Sequence, residues 1–324
     1  MDRKKIVLFV GDNLSAHVIA NNLVSELIDR ELEAIVFITS NSDSPKAHQP
    51  QLLDYAFYES HLLNGTCYLF LESRVPLTKP DGKPLRELSY CPKHLKELYG
   101  INTEYVSDVN GSALLDKIIS DDKIMGAVSV RNYQIFKPEI IKVFQEKGFL
   151  WNLHMGLLPA YRGVYIPLRA MENGEQEYGW SLHHVDKGID TGSIICSATQ
   201  PLNPRQSLMD IYFGLIPHGV QMIMSNLDMV LAGNQPAGKP QDHNDGRYYT
   251  FPTQEELKRF DQKGFRLVNP STVPDIYASL FSIPGTQHAS LLRENLISAI
   301  ADWEQGKKHD VNPEIVFSNS LRLG

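Results

Sequence analysis

At 324 residues, the chain is long enough to bury a sizeable hydrophobic core in one large domain or in two. The composition, 42% hydrophobic and 21% charged, is typical of a soluble globular protein, and the formal net charge of −7 gives no support to a nucleic-acid or anionic-membrane partner. The three cysteines form no CxxC pair, which fits a reducing cytosol and argues against a zinc site. No apolar run is long enough for a signal peptide or a membrane span, so the sequence predicts a cytoplasmic protein.

The first three elements predict a parallel sheet. Residues 6–10 are continuously apolar and partly β-branched, as expected of a strand buried on both faces. Residues 15–30 show helical spacing of apolar side chains, and residues 34–38 form a second apolar strand. This β-α-β order predicts a right-handed crossover between parallel strands. The turn at residues 11–13 is not a GxGxxG fingerprint, so a dinucleotide cofactor is not supported.

The alternation of helices and strands continues through the middle of the chain. Between residues 41 and 93 the pattern is weaker and predicts a short helix near 55–63 and an apolar strand over 67–71. The following elements are also predicted: a helix over 92–99, a strand near 105–106, a helix over 111–120, a strand over 125–130 and a helix from 137 with proline in its first turn. Further along lie a strand over 149–153, a helix over 167–173 closed by Gly174, strands over 178–185 and 193–198, and a long helix over 207–231 that Pro217 kinks.

Three polar side chains near the centre of the chain have the chemistry of acyl transfer. Asn152 and His154 stand two residues apart, so in an extended strand both side chains leave the same face. Asp190 lies between two glycines, on a turn whose backbone can bend freely. An amide, an imidazole and a carboxylate supply an oxyanion donor, a proton shuttle and an orienting base. His183 and His184 lie close to this turn in sequence and are interpreted as scaffold.

The last part of the chain changes character. Residues 233–246 are rich in Gly, Pro, Asn and Asp and predict a linker between a domain over 1–232 and a smaller unit over 247–324. In that unit the sequence predicts an aromatic strand over 246–253, a helix capped by Thr253 with Glu256 in a capping box, and helices over 273–281 and 289–303.

Two stretches together resemble a known family. Residues 151–163, WNLHMGLLPAYRG, and residues 185–192, VDKGIDTG, are similar to the Asn-x-His strand, the Leu-Leu-Pro-x-Tyr-Arg-Gly loop and the Asp-x-Gly-x-Asp-x-Gly turn of the folate-dependent formyltransferases. Met155 departs from the family, which usually has proline there. The resemblance implies a Rossmann-like formyltransferase core, an α/β fold with a mostly parallel twisted sheet flanked by helices, followed by a smaller C-terminal α+β unit.

The resemblance also implies the cofactor and the site. The formyl donor is expected to be N10-formyltetrahydrofolate, with Asn152, His154 and Asp190 as catalytic residues and no metal. A loop that leaves the carboxyl end of a parallel strand is where open α/β sheets bind ligands. By resemblance, the cofactor is placed there, largely against main-chain groups, and the expected cofactor-binding residues are Val130, Arg131, Asn132, Tyr133, Gln134, Ile135, Phe136 and Asp186.

The acceptor is expected to be the amine of a small molecule. Residues 247–252 and 11–13 resemble segments of sugar N-formyltransferases, which act on nucleotide-linked amino sugars. The expected substrate-binding residues are Arg162, Gly163, Tyr248, Tyr249 and Phe251. Between residues 236 and 324, ten Lys and Arg stand against eleven Asp and Glu, a poor surface for tRNA.

Four alternatives remain open from the sequence. They are a hydroxyornithine formyltransferase of siderophore synthesis, a methionyl-tRNA formyltransferase, a formyl-folate hydrolase and a non-catalytic folate-binding protein. A homodimer is compatible with the sequence, which also leaves open whether His154 or Asp190 is the base.

Overall fold

The computed structural model describes residues 3–39, 49–242 and 244–307. The described residues divide into two compact units, each built from two separate parts of the chain. Those within Met1–Asn41 and Ile101–Leu267 form the first unit, and those within Ser42–Gly100 and Val268–Gly324 form the second.

Nine strands and twelve α-helices lie in the described ranges. The strands are β1 Lys5–Gly11, β2 Glu33–Thr39, β3 Thr103–Val106, β4 Ile124–Val130, β5 Leu150–His154, β6 Tyr161–Gly163, β7 Glu177–His184, β8 Ile194–Pro201 and β9 Arg247–Tyr249. The helices are α1 Leu14–Asp29, α2 Pro50–Ala56, α3 Leu69–Glu72, α4 Pro92–Tyr99, α5 Ser112–Ser120, α6 Pro138–Lys147, α7 Ile166–Asn173, α8 Leu208–Gly214, α9 Ile216–Leu231, α10 Gln254–Gln262, α11 Val273–Phe281 and α12 Gln287–Lys307.

The first unit is organised by a seven-stranded sheet in the order β3-β2-β1-β4-β5-β7-β8. The five strands from β3 to β5 pair in parallel, while β7 and β8 add to the edge in antiparallel fashion. The predicted mostly parallel sheet flanked by helices is confirmed. Sequence order reverses between β1 and β4, and the crevice at such a point is where open α/β sheets bind ligands.

The core of this unit packs against the apolar strands that the sequence predicted. Phe9 on β1 lies at its centre, with ring centroids 5.6 Å from Phe37, 5.2 Å from Phe136 and 5.9 Å from Phe144. All four side chains are buried, and edge-to-face contacts of this kind stabilise a core beyond the area they bury. The core therefore fixes the carboxyl ends of β1 and β4 relative to each other.

Several helix ends follow the predicted signals. Gly174 ends α7 in the left-handed conformation, and Pro138 lies in the first turn of α6. Thr253 and Glu256 form the predicted capping box of α10. The predicted long helix over 207–231 is two helices, because Pro217 lacks a main-chain N–H and cannot continue the preceding turn.

One predicted strand, over residues 67–71 in the second unit, is wrong. Residues 67–71, predicted as a strand, continue a helical segment that begins with α2 and passes through π-helical turns at Phe57–His61 and Leu63–Tyr68 into α3. A short apolar run cannot be assigned to strand or helix by periodicity alone, and here burial of Cys67, Tyr68 and Phe70 is achieved by a helix.

The observed units differ from the predicted domain boundaries. The range 233–246, predicted as a linker, lies within the first unit, where Lys239 forms an antiparallel bridge with Ile194. Strand β9 pairs in parallel with β6 of the same unit. These backbone hydrogen bonds join residues far apart in sequence, and composition alone does not reveal them. No helix in the described ranges is both long and apolar enough to cross a membrane.

We expect Ser207→Ala to lower the free energy of unfolding by about 1 kcal/mol. Ser207 is buried and forms a capping box with Asp210 at the start of α8, so the alanine leaves a main-chain N–H without its acceptor. Urea denaturation measures the difference. The control is Ser120→Ala, an exposed serine at the end of α5, which should change stability far less. Equal effects of the two substitutions would contradict the role of the cap.

Candidate active site

Strand β5 carries two of the three predicted catalytic residues. It runs parallel to β4 on one side and antiparallel to β7 on the other. Asn152 and His154 alternate with the buried Leu153, so their side chains leave the same face of the sheet. His154 is only 6% exposed, and Asn152 is half-buried. The rigid centre of the sheet therefore positions both groups.

Asp190 lies on the turn that joins β7 to β8. Its φ of 54° is in the left-handed region, which a non-glycine residue adopts only when its surroundings hold it there. The Asp186 carboxylate shapes the first half of this turn by accepting hydrogen bonds from the Gly188 N–H at 3.0 Å and the Thr191 hydroxyl at 2.6 Å. The Gly163 N–H donates to Asp190 Oδ2 at 2.9 Å.

The turn brings Asp190 to the side chains on β5. Its Oδ1 is 3.5 Å from Nδ1 of His154 and 3.7 Å from Nε2 of His183. The same Nε2 lies 3.0 Å from Nδ2 of Asn152. The structure thus gathers the three predicted catalytic residues into one cluster, with His183 between two of them.

The hydrogen bonds fix the tautomers of both histidines. Nε2 of His154 is 2.7 Å from the Tyr161 carbonyl oxygen, which can only accept, so the proton of the neutral ring is on Nε2 and the lone pair is on Nδ1. In His183, Nδ1–H donates to the His184 carbonyl at 2.8 Å, and Nε2 accepts from Asn152. His154 therefore turns its lone pair toward Asp190.

Burial and neighbouring charges give Asp190 and His154 different protonation states at neutral pH. Burial favours the protonated form of Asp190, but the neighbouring His154 and His183 and the Gly163 N–H outweigh it and lower its pKa to about 2. Burial also lowers the pKa of His154 below its ordinary value, although the Asp190 charge partly opposes this. At neutral pH the site therefore holds an ionised carboxylate beside a neutral imidazole.

His183 was interpreted as scaffold from the sequence, and the structure places it in the site. Asn152 and His183 are directly opposite each other in the antiparallel register of β5 and β7. Directly opposed residues on one face are close enough for their side chains to interact. A prediction of the pairing register between β5 and β7 would therefore have placed His183 next to Asn152.

The predicted cofactor segment has most of its side chains engaged with the protein itself. Arg131 donates to Ser15, Tyr133 accepts from Asn13, and Asn132 accepts from the Thr39 hydroxyl. Gln134 accepts a hydrogen bond from the Val109 N–H and donates to the Ser107 carbonyl oxygen. Val130 and Phe136 are buried, whereas Ile135 is 63% exposed. These side chains hold the loop in shape.

Four of the five predicted substrate-binding residues lie in the two-stranded sheet of β6 and β9, and the fifth, Phe251, follows β9. Arg162 lies opposite Tyr248, and Gly163 lies opposite Tyr249. The Tyr249 ring stacks on Tyr161 at 5.7 Å, and the Tyr248 side chain is 50% exposed. Phe251 lies 5.7 Å from the Tyr165 ring. Because Gly163 also donates to Asp190, this aromatic surface is attached directly to the cluster of Asn152, His154, His183 and Asp190.

A cavity of about 350 Å³ opens beside the turn that carries Asp190. It is lined by Gln145, Gly148, Phe149, Leu150, His184, Val185, Asp186, Gly192 and Ser193. The lining thus combines the start of β5 with both ends of the turn that carries Asp190. Within the described ranges, no group of three or more His, Cys, Asp or Glu side chains is arranged to hold a metal ion.

Gln241 is a further residue of the site that the sequence did not reveal. Its Nε2 donates to the carbonyl oxygens of Asp190 at 3.0 Å and of Gly192 at 2.6 Å. The residue lies 51 positions after Asp190, in the range predicted as a linker. No local sequence signal marks such a long-range contact.

Comparison with known proteins identifies the domain that contains this cluster. Residues 110–225 match the Formyl transferase family. Methionyl-tRNA formyltransferase of Xylella fastidiosa (strain M12) is 32% identical over 109 residues, covering 34% of this chain and 35% of the relative. Methionyl-tRNA formyltransferase of Synechococcus sp. (strain JA-3-3Ab) is 28% identical over 174 residues, covering 52% of each protein. The chain thus spans between about a third and a half of the length of these relatives.

A solved structure shares the fold. A sugar 3N-formyl transferase, crystallised in the presence of dTDP and 5-N-formyl-THF, is 22% identical and superposes with a TM-score of 0.50, covering 78% of this chain and 71% of that one.

We expect Asp190→Asn to lower the pKa of His154 further, because the carboxylate that stabilises the imidazolium is lost. An NMR titration of the imidazole signals measures the shift, with His154 assigned by its absence in a His154→Gln variant. Asp228→Asn, which removes an exposed carboxylate paired with Arg30, is the control. An unchanged pKa of His154 in Asp190→Asn would show that the carboxylate does not act on this ring.

Proposed function

We propose, from the cluster within the residues that match the Formyl transferase family (110–225), that the protein transfers a formyl group from N10-formyltetrahydrofolate to an amine. The observation that carries this proposal is the convergence of Asn152, His154 and Asp190 around His183. Asn152 Nδ2 lies 3.0 Å from Nε2 of His183, and Asp190 Oδ1 lies 3.7 Å from the same nitrogen and 3.5 Å from Nδ1 of His154. The formyl-folate supplies an activated acyl carbon. The chain supplies the groups that stabilise charge and move the proton.

Asn152 is suited to stabilise the oxyanion that forms when the amine attacks the formyl carbon. Its amide nitrogen carries two hydrogens, and one of them is donated to His183. We assign the second to the oxyanion. Because His183 anchors the amide, the donor is oriented before the reaction starts, which is the condition for effective electrostatic stabilisation.

His154 is the better base of the two candidates. A carboxylate with a pKa of about 2 is a weak proton acceptor, whereas a neutral imidazole has a proton affinity closer to what reaction at neutral pH requires. His154 Nδ1 takes the proton from the attacking amine and returns it to the leaving nitrogen of the folate. The Asp190 carboxylate stabilises the imidazolium between the two transfers, since it lies 3.5 Å from Nδ1.

The cavity beside the turn is the place that we assign to the pterin part of the donor. Its volume of about 350 Å³ lies at the lower end of the range for small-molecule pockets, roughly 300–1,000 Å³, and so suits part of the folate. Leu150, Val185 and Asp186 are among the residues that line it. Leu150 is two residues before Asn152 on β5, which brings a ring bound there close to the catalytic amide.

For the acceptor, we propose a nucleotide-linked amino sugar. The surface formed by β6 and β9 presents the exposed Tyr248 and the stacked pair Tyr161 and Tyr249, next to the Gly163 N–H that holds Asp190. Aromatic rings of this kind stack on a base or a sugar. The near-neutral charge after residue 236 disfavours tRNA, whose binding depends on phosphate contacts. A methionyl-tRNA acceptor is the second candidate because relatives of the matched domain carry that name.

Substitution of each catalytic residue tests the mechanism. We expect Asn152→Ala, His154→Ala and Asp190→Ala each to lower kcat by at least about 100-fold while the protein stays folded. Formyl transfer is followed by the appearance of tetrahydrofolate, and circular dichroism checks the fold. His218→Ala, an exposed histidine on α9, is the control. Near-normal kcat in any of the three variants would refute the role of that residue.

Turnover with different acceptors tests the substrate class. We expect transfer to a dTDP-linked amino sugar, with Tyr248→Ala raising its KM by about tenfold, the loss of one stacking contact worth about 1–3 kcal/mol. Tyr105→Ala, which removes an exposed tyrosine of β3, should leave KM unchanged. Efficient formylation of methionyl-tRNA with a steep salt dependence would refute the sugar acceptor, as would activity on hydroxyornithine alone. Equal consumption of the donor without any acceptor would indicate a hydrolase.

A further inference from the structure

We propose that Gln241 is a positioning residue for the catalytic carboxylate. It holds the main chain of the turn at Asp190 and Gly192, and through that turn it keeps the Asp190 side chain beside His154. Gln241 lies outside residues 110–225, the part of the chain that matches the family. The inference rests on the proposed formyl transfer for its kinetic consequences.

The orientation of the Gln241 amide is fixed by its partners. Nε2 donates to the carbonyl oxygens of Asp190 and Gly192, at 3.0 Å and 2.6 Å. Main-chain carbonyls only accept, so the NH₂ group must face the turn and Oε1 must face away. That Oε1 is buried and has no hydrogen-bond partner among the described residues. Gln241 therefore acts on the turn as a double donor.

The turn needs such a hold because Asp190 is in an unfavourable backbone conformation. A φ of 54° at a residue with a side chain is costly and persists only when surrounding contacts enforce it. Asp186 ties the first half of the turn through Gly188 and Thr191. Gln241 binds the second half of the turn through the carbonyl oxygens of Asp190 and Gly192, the two residues on either side of Thr191.

The segment that precedes Gln241 is itself fixed by contacts with the start of β8. Lys239, two residues earlier, exchanges two main-chain hydrogen bonds with Ile194, at 2.7 Å and 2.8 Å. Gly238 packs so closely that an added Cβ would lie 2.5 Å from Oγ of Ser193. The segment is therefore fixed to the start of β8, and Gln241 reaches the turn from a rigid base.

Removing the two donors should misplace Asp190 and lower kcat. A displacement of about 1 Å in a catalytic group can cost about 100-fold in rate, so we expect Gln241→Leu to lower kcat by about 10- to 100-fold. The KM values for the folate and the acceptor should change little, because the proposed contact acts on the proton-transfer pair. A purely structural role would lower activity only in proportion to the unfolded fraction.

Gln241→Glu supplies a readout that depends on hydrogen-bond donation. When ionised, the glutamate side chain repels the carbonyl oxygens of Asp190 and Gly192, whereas its protonated form can donate one O–H hydrogen bond to them. The ratio of its kcat to that of the wild type should therefore rise as the pH falls, while the ratio for Gln241→Leu stays flat. The matched controls are Gln235→Leu and Gln235→Glu, the same changes at an exposed glutamine of the same segment. Both should keep wild-type kcat.

The assay uses N10-formyltetrahydrofolate and a dTDP-linked amino sugar with the full chain, and circular dichroism at the assay temperature gives the folded fraction. Wild-type kcat in both Gln241 variants, a loss that matches the unfolded fraction, or an equal loss in the Gln235 variants would overturn the inference.

A second measurement separates this inference from the proposed function. In Gln241→Leu, the NMR-detected pKa of His154 should fall, because the Asp190 carboxylate no longer lies close to Nδ1. If the wild-type protein transfers no formyl group, the proposed function fails and this titration alone decides the position of Asp190. An unchanged pKa of His154 in Gln241→Leu would then overturn the inference.

Discussion

The Asp190 carboxylate beside the His154 imidazole is the interaction on which the rest of the site depends. Removing a charged carboxylate from water is costly unless other groups compensate for the lost hydration. Here the Gly163 N–H donates to the carboxylate, and it acts together with the positive charge of a protonated His154 and with His183 to lower the pKa of Asp190 to about 2. Strands β5, β6 and β7 therefore each place one group beside the buried carboxylate: His154, the Gly163 N–H and His183.

The sequence predicted the groups of this cluster better than their arrangement. The two-residue period of a strand was enough to place Asn152 and His154 on one face, and the glycines around Asp190 marked a turn. The contact of His183 with Asn152 was not predicted, because it depends on the register between β5 and β7, which hydrophobic alternation does not specify. Gln241 was missed because its partner lies 51 residues away, in a range whose Gly and Pro content is typical of a linker.

The fold shows the same division between local and long-range information. Continuous apolar runs predicted the buried parallel strands, and Thr253 with Glu256 predicted the start of α10 from a purely local pattern. The run at residues 67–71 was wrongly predicted as a strand because the energetic gain there is burial, which a helix provides equally well. The pairing of β9 with β6 could not be predicted, since a three-residue strand has almost no pattern of its own.

Gly163 explains why the chemistry is easier to predict from this sequence than the acceptor. Its N–H binds Asp190, and its backbone, at φ 103°, lies so close to Tyr249 that an added Cβ would be 2.0 Å from the Tyr249 oxygen. The turn that carries Asp190 and β9 are therefore joined through the main chain of Gly163, and this link does not depend on the side chains of β9. The position of Asp190 therefore does not depend on the Tyr248 side chain, and the proposed acceptor surface and the proposed catalytic residues are linked only through the backbone.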